Sequence, residues 1–348
     1  MRRFSVWLAF VLLLTACAAS PPAATPDPGD NGPTLESPEA VAPDDDAIDL
    51  DETSVELRPV ELGEGERLNV VATTNIVGDI VMQVGDERID LRVLLPPGAD
   101  PHAYNPTPQD VAAIHDAHVL FANGASLEEF LRPILETVPD TPIVYLSEGV
   151  ELREWGNGGE ELAADDTDDD HPHEVDSHTW VTPHNVIVFV QNVRRALVAL
   201  DPDHAEYYEA NAAAYSETLE ELDAWVQSQI DTIPVERRKI VSDHSVFGYY
   251  AERYGLEELG AVIPSFSTVA EPSARDLAAL QDVIREHNVP AIFVGTTVNP
   301  TVVQRVAEDL DIQVVVLYHA SLGPEGSGVE TYVDWVRYNT EAIVAALR

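Results

Sequence analysis

Histidine is the residue type in this chain best suited to do chemistry. There are eleven, and a neutral imidazole is a ready ligand for Zn²⁺, Cu²⁺ and Ni²⁺. Five of them, His115, His118, His184, His204 and His287, sit in or beside helical patterns, where a solvated or hydrogen-bonded ring is the ordinary role. Four others follow apolar runs that read as strands. His102 lies in the loop after the run ending at Leu95, and His178 comes after the run ending at Leu146 and an acidic stretch. His244 follows the run ending at Ser242, and His319 follows Leu317 directly. Ligands of open parallel sheets bind outside the carboxyl ends of the strands, so these four loops would converge if two sheets turned those edges toward each other. Three or four imidazoles favour a borderline transition ion over Mg²⁺ or Ca²⁺, which want oxygen, and zinc suits the ligand count because its shell is tetrahedral. Three histidines plus water also compose a catalytic zinc site. Against a hydrolase, the chain has no His-Glu-x-x-His segment and no evident acid or base paired with the candidate ligands.

The elements that must position these residues are legible as a β/α alternation. Strands are expected at 68–73 and 89–95 with a helix at 76–84 between them, and a helix starts at Thr107-Pro108-Gln109-Asp110 with Thr as cap and Pro in its first turn. Further strands at 119–122 and 143–146 flank a helix at about 127–137. The same grammar returns after Pro234 with strands at 239–242, 259–263, 291–294 and 313–317. The fold class expected is therefore α/β, two similar parallel-sheet domains at 67–202 and 234–348 with the metal site in the cleft between them. Joining them, 203–233 carries Tyr207, Tyr208, Ala212, Tyr215, Leu219, Leu222 and Val226 at helical spacing, without Gly or Pro before Pro234. Such a helix is a stiff connector and argues against large hinge closure. The stretch 151–177 breaks the pattern: it is acidic from Asp165 to Asp170, carries His171 and His173, and reads as a mobile surface loop.

Composition excludes other classes. With 62 acidic residues against 19 basic ones the net charge is −43, and Lys239 is the only lysine. Nothing here could displace counterions along a phosphate backbone, which excludes a nucleic-acid partner. At the amino terminus, Met1-Arg2-Arg3 precedes an apolar run at 4–14, too short to span a bilayer. That run closes on Leu14-Thr15-Ala16-Cys17, which resembles a lipobox, and Cys17 is the only cysteine, so it can form no internal disulfide. The expectation is a signal peptide at 1–17, a lipid anchor on Cys17, and a disordered acidic, Pro-rich tether at 18–66. A monomer held outside the cytoplasm follows.

The residues around the histidines resemble the metal-binding solute-binding proteins of bacterial ABC importers, the zinc and manganese binding lipoproteins. Gly98-Ala99-Asp100-Pro101-His102-Ala103-Tyr104-Asn105-Pro106-Thr107-Pro108 is similar to that family's first ligand motif, and Asp176-Ser177-His178-Thr179-Trp180-Val181-Thr182-Pro183 to its second. Asp243-His244-Ser245-Val246-Phe247-Gly248-Tyr249-Tyr250 resembles the third, and Glu271-Pro272-Ser273 matches a further segment. The resemblance runs from Leu68 to the carboxyl terminus. It implies a non-enzymatic protein that captures a metal ion between two α/β domains and delivers it to a membrane permease. Because manganese-preferring members tend to place glutamate at the third position, His244 implies zinc, with manganese or ferrous iron as the alternative cargo and a surface adhesin as a more distant one. Where the family supplies an acidic fourth ligand, this chain has His319-Ala320-Ser321-Leu322-Gly323, and Ala320 cannot coordinate. The candidate metal ligands are therefore His102, His178, His244 and His319, with water or Glu271 as other ways to complete the shell. The short loop with His171 and His173 is similar to the family's histidine-rich loop, and is either a low-affinity zinc collector or a plain solvated loop.

Overall fold

A computed structural model describes residues 57–135, 138, 140–154 and 175–348. Cys17, most of the tether, and His171 and His173 with their acidic run lie outside the described residues. No helix among the described residues is long and apolar enough to cross a membrane.

Two four-stranded parallel sheets organise the chain. The first contains β1 (Leu68–Ala72), β2 (Ile89–Val93), β3 (Val119–Ala122) and β4 (Ile143–Tyr145) in the order β2-β1-β3-β4. The second contains β5 (Lys239–His244), β6 (Glu257–Ile263), β7 (Ala291–Gly295) and β8 (Gln313–Leu317) in the order β6-β5-β7-β8. The two orders are the same, so the second sheet repeats the first. Central strands read as apolar runs because both of their faces are covered. Val70 and Phe293 enter one large core shared by the two halves, while their neighbours Val71 and Ile292 point to smaller clusters on the opposite faces.

The helices are α1 (Asn75–Gly85), α2 (Pro108–His115), α3 (Arg132–Leu135), α4 (Pro183–Leu200), α5 (Ala205–Ile230), α6 (Gly248–Tyr254), α7 (Ala274–His287), α8 (Thr301–Leu310) and α9 (Tyr332–Leu347). Several starts follow local chemistry. Thr107 and Asp110 form a capping box ahead of α2, Ser273 and Asp276 form another ahead of α7, and Thr182 caps α4 with Pro183 in its first turn. In α5, Tyr208, Ala212, Tyr215, Leu219, Leu222, Val226 and Ile230 form one buried stripe that packs against α4, α1 and α9. Tyr207 lies off the stripe, its hydroxyl donating to Asp86 Oδ2 at 2.7 Å.

Two local readings of the sequence need revision. The helix expected at about 127–137 begins as a 3₁₀ turn, Glu129–Leu131, followed by α3, and residues 136 and 137 lie outside the described residues. The chain enters it through Ala125 and Ser126 at φ 50° and 61°, and Pro133 is compatible only with a helix's first turn. Conversely, α4 is an 18-residue helix where the sequence offered only a helical pattern near His184.

Candidate metal centre

Two candidate ligands sit at or just after a strand end, His244 and His319, and two lie in the connections that follow β2 and β4. His244 is the last residue of β5. His178 precedes the 3₁₀ turn Thr179–Val181 that leads into α4. His102 lies in the loop between β2 and α2, where its backbone N–H donates to Asp100 Oδ1 at 3.0 Å. That loop is fastened from the other half of the molecule. The Thr268 hydroxyl donates to Asp100 Oδ2 at 2.6 Å, and the Gly98 N–H donates to Ser321 Oγ at 2.8 Å.

Three imidazoles converge by their Nε2 atoms. His178 Nε2 lies 3.3 Å from His102 Nε2 and 3.2 Å from His244 Nε2. The rings of His102 and His244 are 5.7 Å apart, centroid to centroid, and nearly perpendicular at 81°. His178 and His244 are fully buried and His102 is partly so. Three imidazole nitrogens this close to one another form a group that could surround a single cation.

Carboxylates hold two of these rings in that orientation. His178 Nδ1 pairs with Asp176 Oδ1 at 2.9 Å, and His244 Nδ1 pairs with Asp243 Oδ1 at 2.9 Å. A carboxylate on Nδ1 fixes the tautomer that leaves Nε2 free to ligate. Asp176 is itself tethered. Arg153 Nη1 donates to its Oδ2 at 3.2 Å, and the Tyr249 hydroxyl donates to its carbonyl at 2.9 Å. Gly248 makes room for this, because a Cβ there would strike the Arg153 guanidinium. Asp243 accepts at Oδ2 from the Gly295 N–H (2.6 Å) and from His319 Nε2 (3.1 Å).

Burial sets the protonation of the cluster. It holds His102 and His178 well below the ordinary imidazole range, reinforced by the neighbouring rings, so both are neutral donors. Burial likewise pushes Asp176 up to about 7, against the pull of the His178 N–H and Arg153. Asp243 is as buried, yet His319 and His244 outweigh desolvation and hold its carboxyl well below the usual range.

His319 is buried at the end of β8, but its Nε2 lies on Asp243, and it joins Asp243 and His244 rather than the group formed by His102, His178 and His244. Glu271 is exposed ahead of α7 and belongs to neither group. The remaining described histidines are placed elsewhere: His118 Nδ1 accepts from the Asn69 N–H, His204 pairs with Asp201, His287 with Lys239 and His115 with Asp116, while His184 is exposed. Asp176 and Asp243 carry roles that the sequence reading did not give them. Their signal was present in the spacing Asp-x-His and Asp-His at strand ends. Arg153 and Gly295 left no such signal, being brought in only by the fold.

The fold is that of known binding proteins. The periplasmic zinc binding protein TroA from Treponema pallidum superposes with a TM-score of 0.72 at 28% identity, over 81% of this chain and 99% of that one. The Mn-bound periplasmic metal binding protein from Candidatus Liberibacter asiaticus gives 0.70 at 26% identity, over 81% and 100%. Among sequence relatives, the manganese-binding lipoprotein MntA of Halalkalibacterium halodurans is 34% identical over 285 residues, 82% of this chain and 90% of that protein. The iron-binding protein YfeA of Yersinia pestis is 28% identical, over 80% and 86%. A family model described as "Zinc-uptake complex component A periplasmic" matches residues 70–346, and the chain belongs to that family.

Proposed function

We propose that this protein is the extracytoplasmic metal-binding component of an ABC importer, taking up a divalent transition-metal ion through His102, His178 and His244 and presenting it to a membrane permease. The observation that carries the reading is the convergence of three imidazoles, with His178 Nε2 at 3.3 Å from His102 Nε2 and 3.2 Å from His244 Nε2 and all three ligand atoms within 4.8 Å of one another. Family membership and relatives named as substrate-binding lipoproteins support the transport role and an anchored, extracytoplasmic location. On this reading Cys17 carries the lipid, and 67–202 and 234–348 act as lobes on either side of the ion. The protein binds and releases its ligand and is not an enzyme.

Manganese or ferrous iron is the cargo that the relatives support, since they are named for manganese and iron. His244 had pointed to zinc, and the donor set keeps zinc as a second reading. With Zn–N bonds of about 2.0–2.1 Å, neighbouring nitrogens of a tetrahedral shell are about 3.3–3.4 Å apart, close to the spacing of these atoms. Tight zinc binding in vitro would not by itself name the cargo, because nitrogen sites hold Zn²⁺ more tightly than Mn²⁺ or Fe²⁺ in general. The test is a triple His102→Ala, His178→Ala, His244→Ala variant titrated calorimetrically with Mn²⁺ and Zn²⁺, together with the metal content of protein from cells grown with both ions scarce. Loss of tight binding of both ions is expected. Unchanged affinity in the triple variant would place the site elsewhere.

A further inference from the structure

Asp243 is saturated. Its Oδ1 accepts from the His244 N–H (2.7 Å) and the His244 ring (2.9 Å), and its Oδ2 from the Gly295 N–H (2.6 Å) and His319 Nε2 (3.1 Å). A carboxylate offers about four lone-pair positions, so none remains to bind an ion. His319 is committed in turn, with Nε2 on Asp243. Its Nδ1 is buried without a hydrogen-bond partner, and the ring stands outside the group formed by His102, His178 and His244, whose ligand atoms lie within 4.8 Å of one another. Gly295 makes the contact possible, because a Cβ there would fall on the His319 Nε2 and Cε1 atoms. Beyond His319, Ala320 has no donor group on its side chain.

We propose that His319 is a positioning residue and not a fourth ligand. It clamps Asp243 from the end of β8 while Gly295 clamps it from the end of β7, and Asp243 fixes the His244 ring with Nε2 toward the ion. The protein then supplies three imidazoles, and the remaining positions on the ion are filled from solution. This rests on the metal site proposed above.

The first measurement counts ligands without any substitution: X-ray absorption on the Zn²⁺-loaded full chain is expected to show three imidazoles, with the rest of the shell made of oxygen donors from solution. His319→Ala should still show three, with affinity lowered ~10–100-fold, as for loss of a group that orients a ligand. His319→Gln should restore most of the affinity, because its carboxamide N–H can reach Asp243 although it is a poor ligand. The double variant His319→Ala, Asp243→Asn should be no weaker than Asp243→Asn alone, since both act through the same carboxylate. Four imidazoles in the unaltered protein, falling to three in His319→Ala, would overturn the proposal, as would wild-type affinity in His319→Ala. His178→Ala separates the two levels of the argument. If it retains tight binding, the metal site itself is misassigned; if it loses binding while His319→Ala does not, only the role of His319 falls.

Discussion

A ring nitrogen is only as good a ligand as the group that aims it, and at this centre the aiming groups are Asp176 and Asp243. Asp176→Asn should lower metal affinity about 10–100-fold while leaving all three imidazoles in place; competition titration against a chelator of known affinity would measure it, and an unchanged constant would deny Asp176 its orienting role. The depressed proton affinity of His102 and His178 also has a direction. Protons compete with metal for the same nitrogens, so affinity falls where the folded, metal-free imidazoles begin to protonate. Because these two lie well below the ordinary value of about 6.5, metal binding should persist as pH falls through that value and give way only in more acid solution. A binding profile already collapsing above about pH 6.5 would contradict it. The three converging histidines were legible as histidines after strand-like runs, because ligand chemistry restricts residue type and the carboxyl ends of strands restrict place. What holds them was less legible. Arg153 reaches Asp176 from outside any recognisable motif, and Gly295 matters only because a histidine from another strand needs its space.

Among the elements, α5 contributes most to joining the two halves, since its single buried stripe meets α1 and α4 on one side of the chain's order and α9 on the other. Leu219 is fully buried in that stripe. Leu219→Ala should cost about 2–5 kcal/mol of stability, read as a lowered denaturation midpoint, with little change in metal affinity for the molecules that remain folded. The central strands were readable because burial on both faces produces short apolar runs, and α5 because one buried face produces a helical period. The helix α4 was hard to see for the opposite reason. Apolar residues cluster at 186–190 and recur through 200, so the period is blurred and the sequence shows only a helical pattern near His184 without bounds. The segment expected to be helical from 127 starts only at Glu129 and in 3₁₀ form, after Ala125 and Ser126 adopt left-handed backbone angles that their residue types do not announce.

For the whole molecule, the net charge of −43 is the dominant global property. Such an excess repels itself in the compact state, and salt screens that repulsion over about 8–10 Å at moderate ionic strength. The melting temperature of the metal-free protein should therefore rise as NaCl is added at constant pH; a fall would mean that specific surface ion pairs outweigh the net repulsion. Charge alone excluded nucleic acid as a partner, but the cargo was not legible at this scale. His244 points to zinc while the sequence relatives are themselves named for manganese and iron, and ion selectivity depends on the full shell and on supply as well as on one donor.

The candidate ligands are also spread widely along the chain: His102 lies in the loop between β2 and α2, His178 just ahead of the 3₁₀ turn before α4, and His244 ends a strand of the second sheet. A chain synthesised only as far as the long helix holds two of the three imidazoles, and two give the ion no enclosed shell. On the proposed site, the full three-imidazole shell therefore waits on contacts distant in sequence, whose closure is the slow part of folding in parallel-sheet proteins. Such a shell would form only in molecules whose two sheets have both folded.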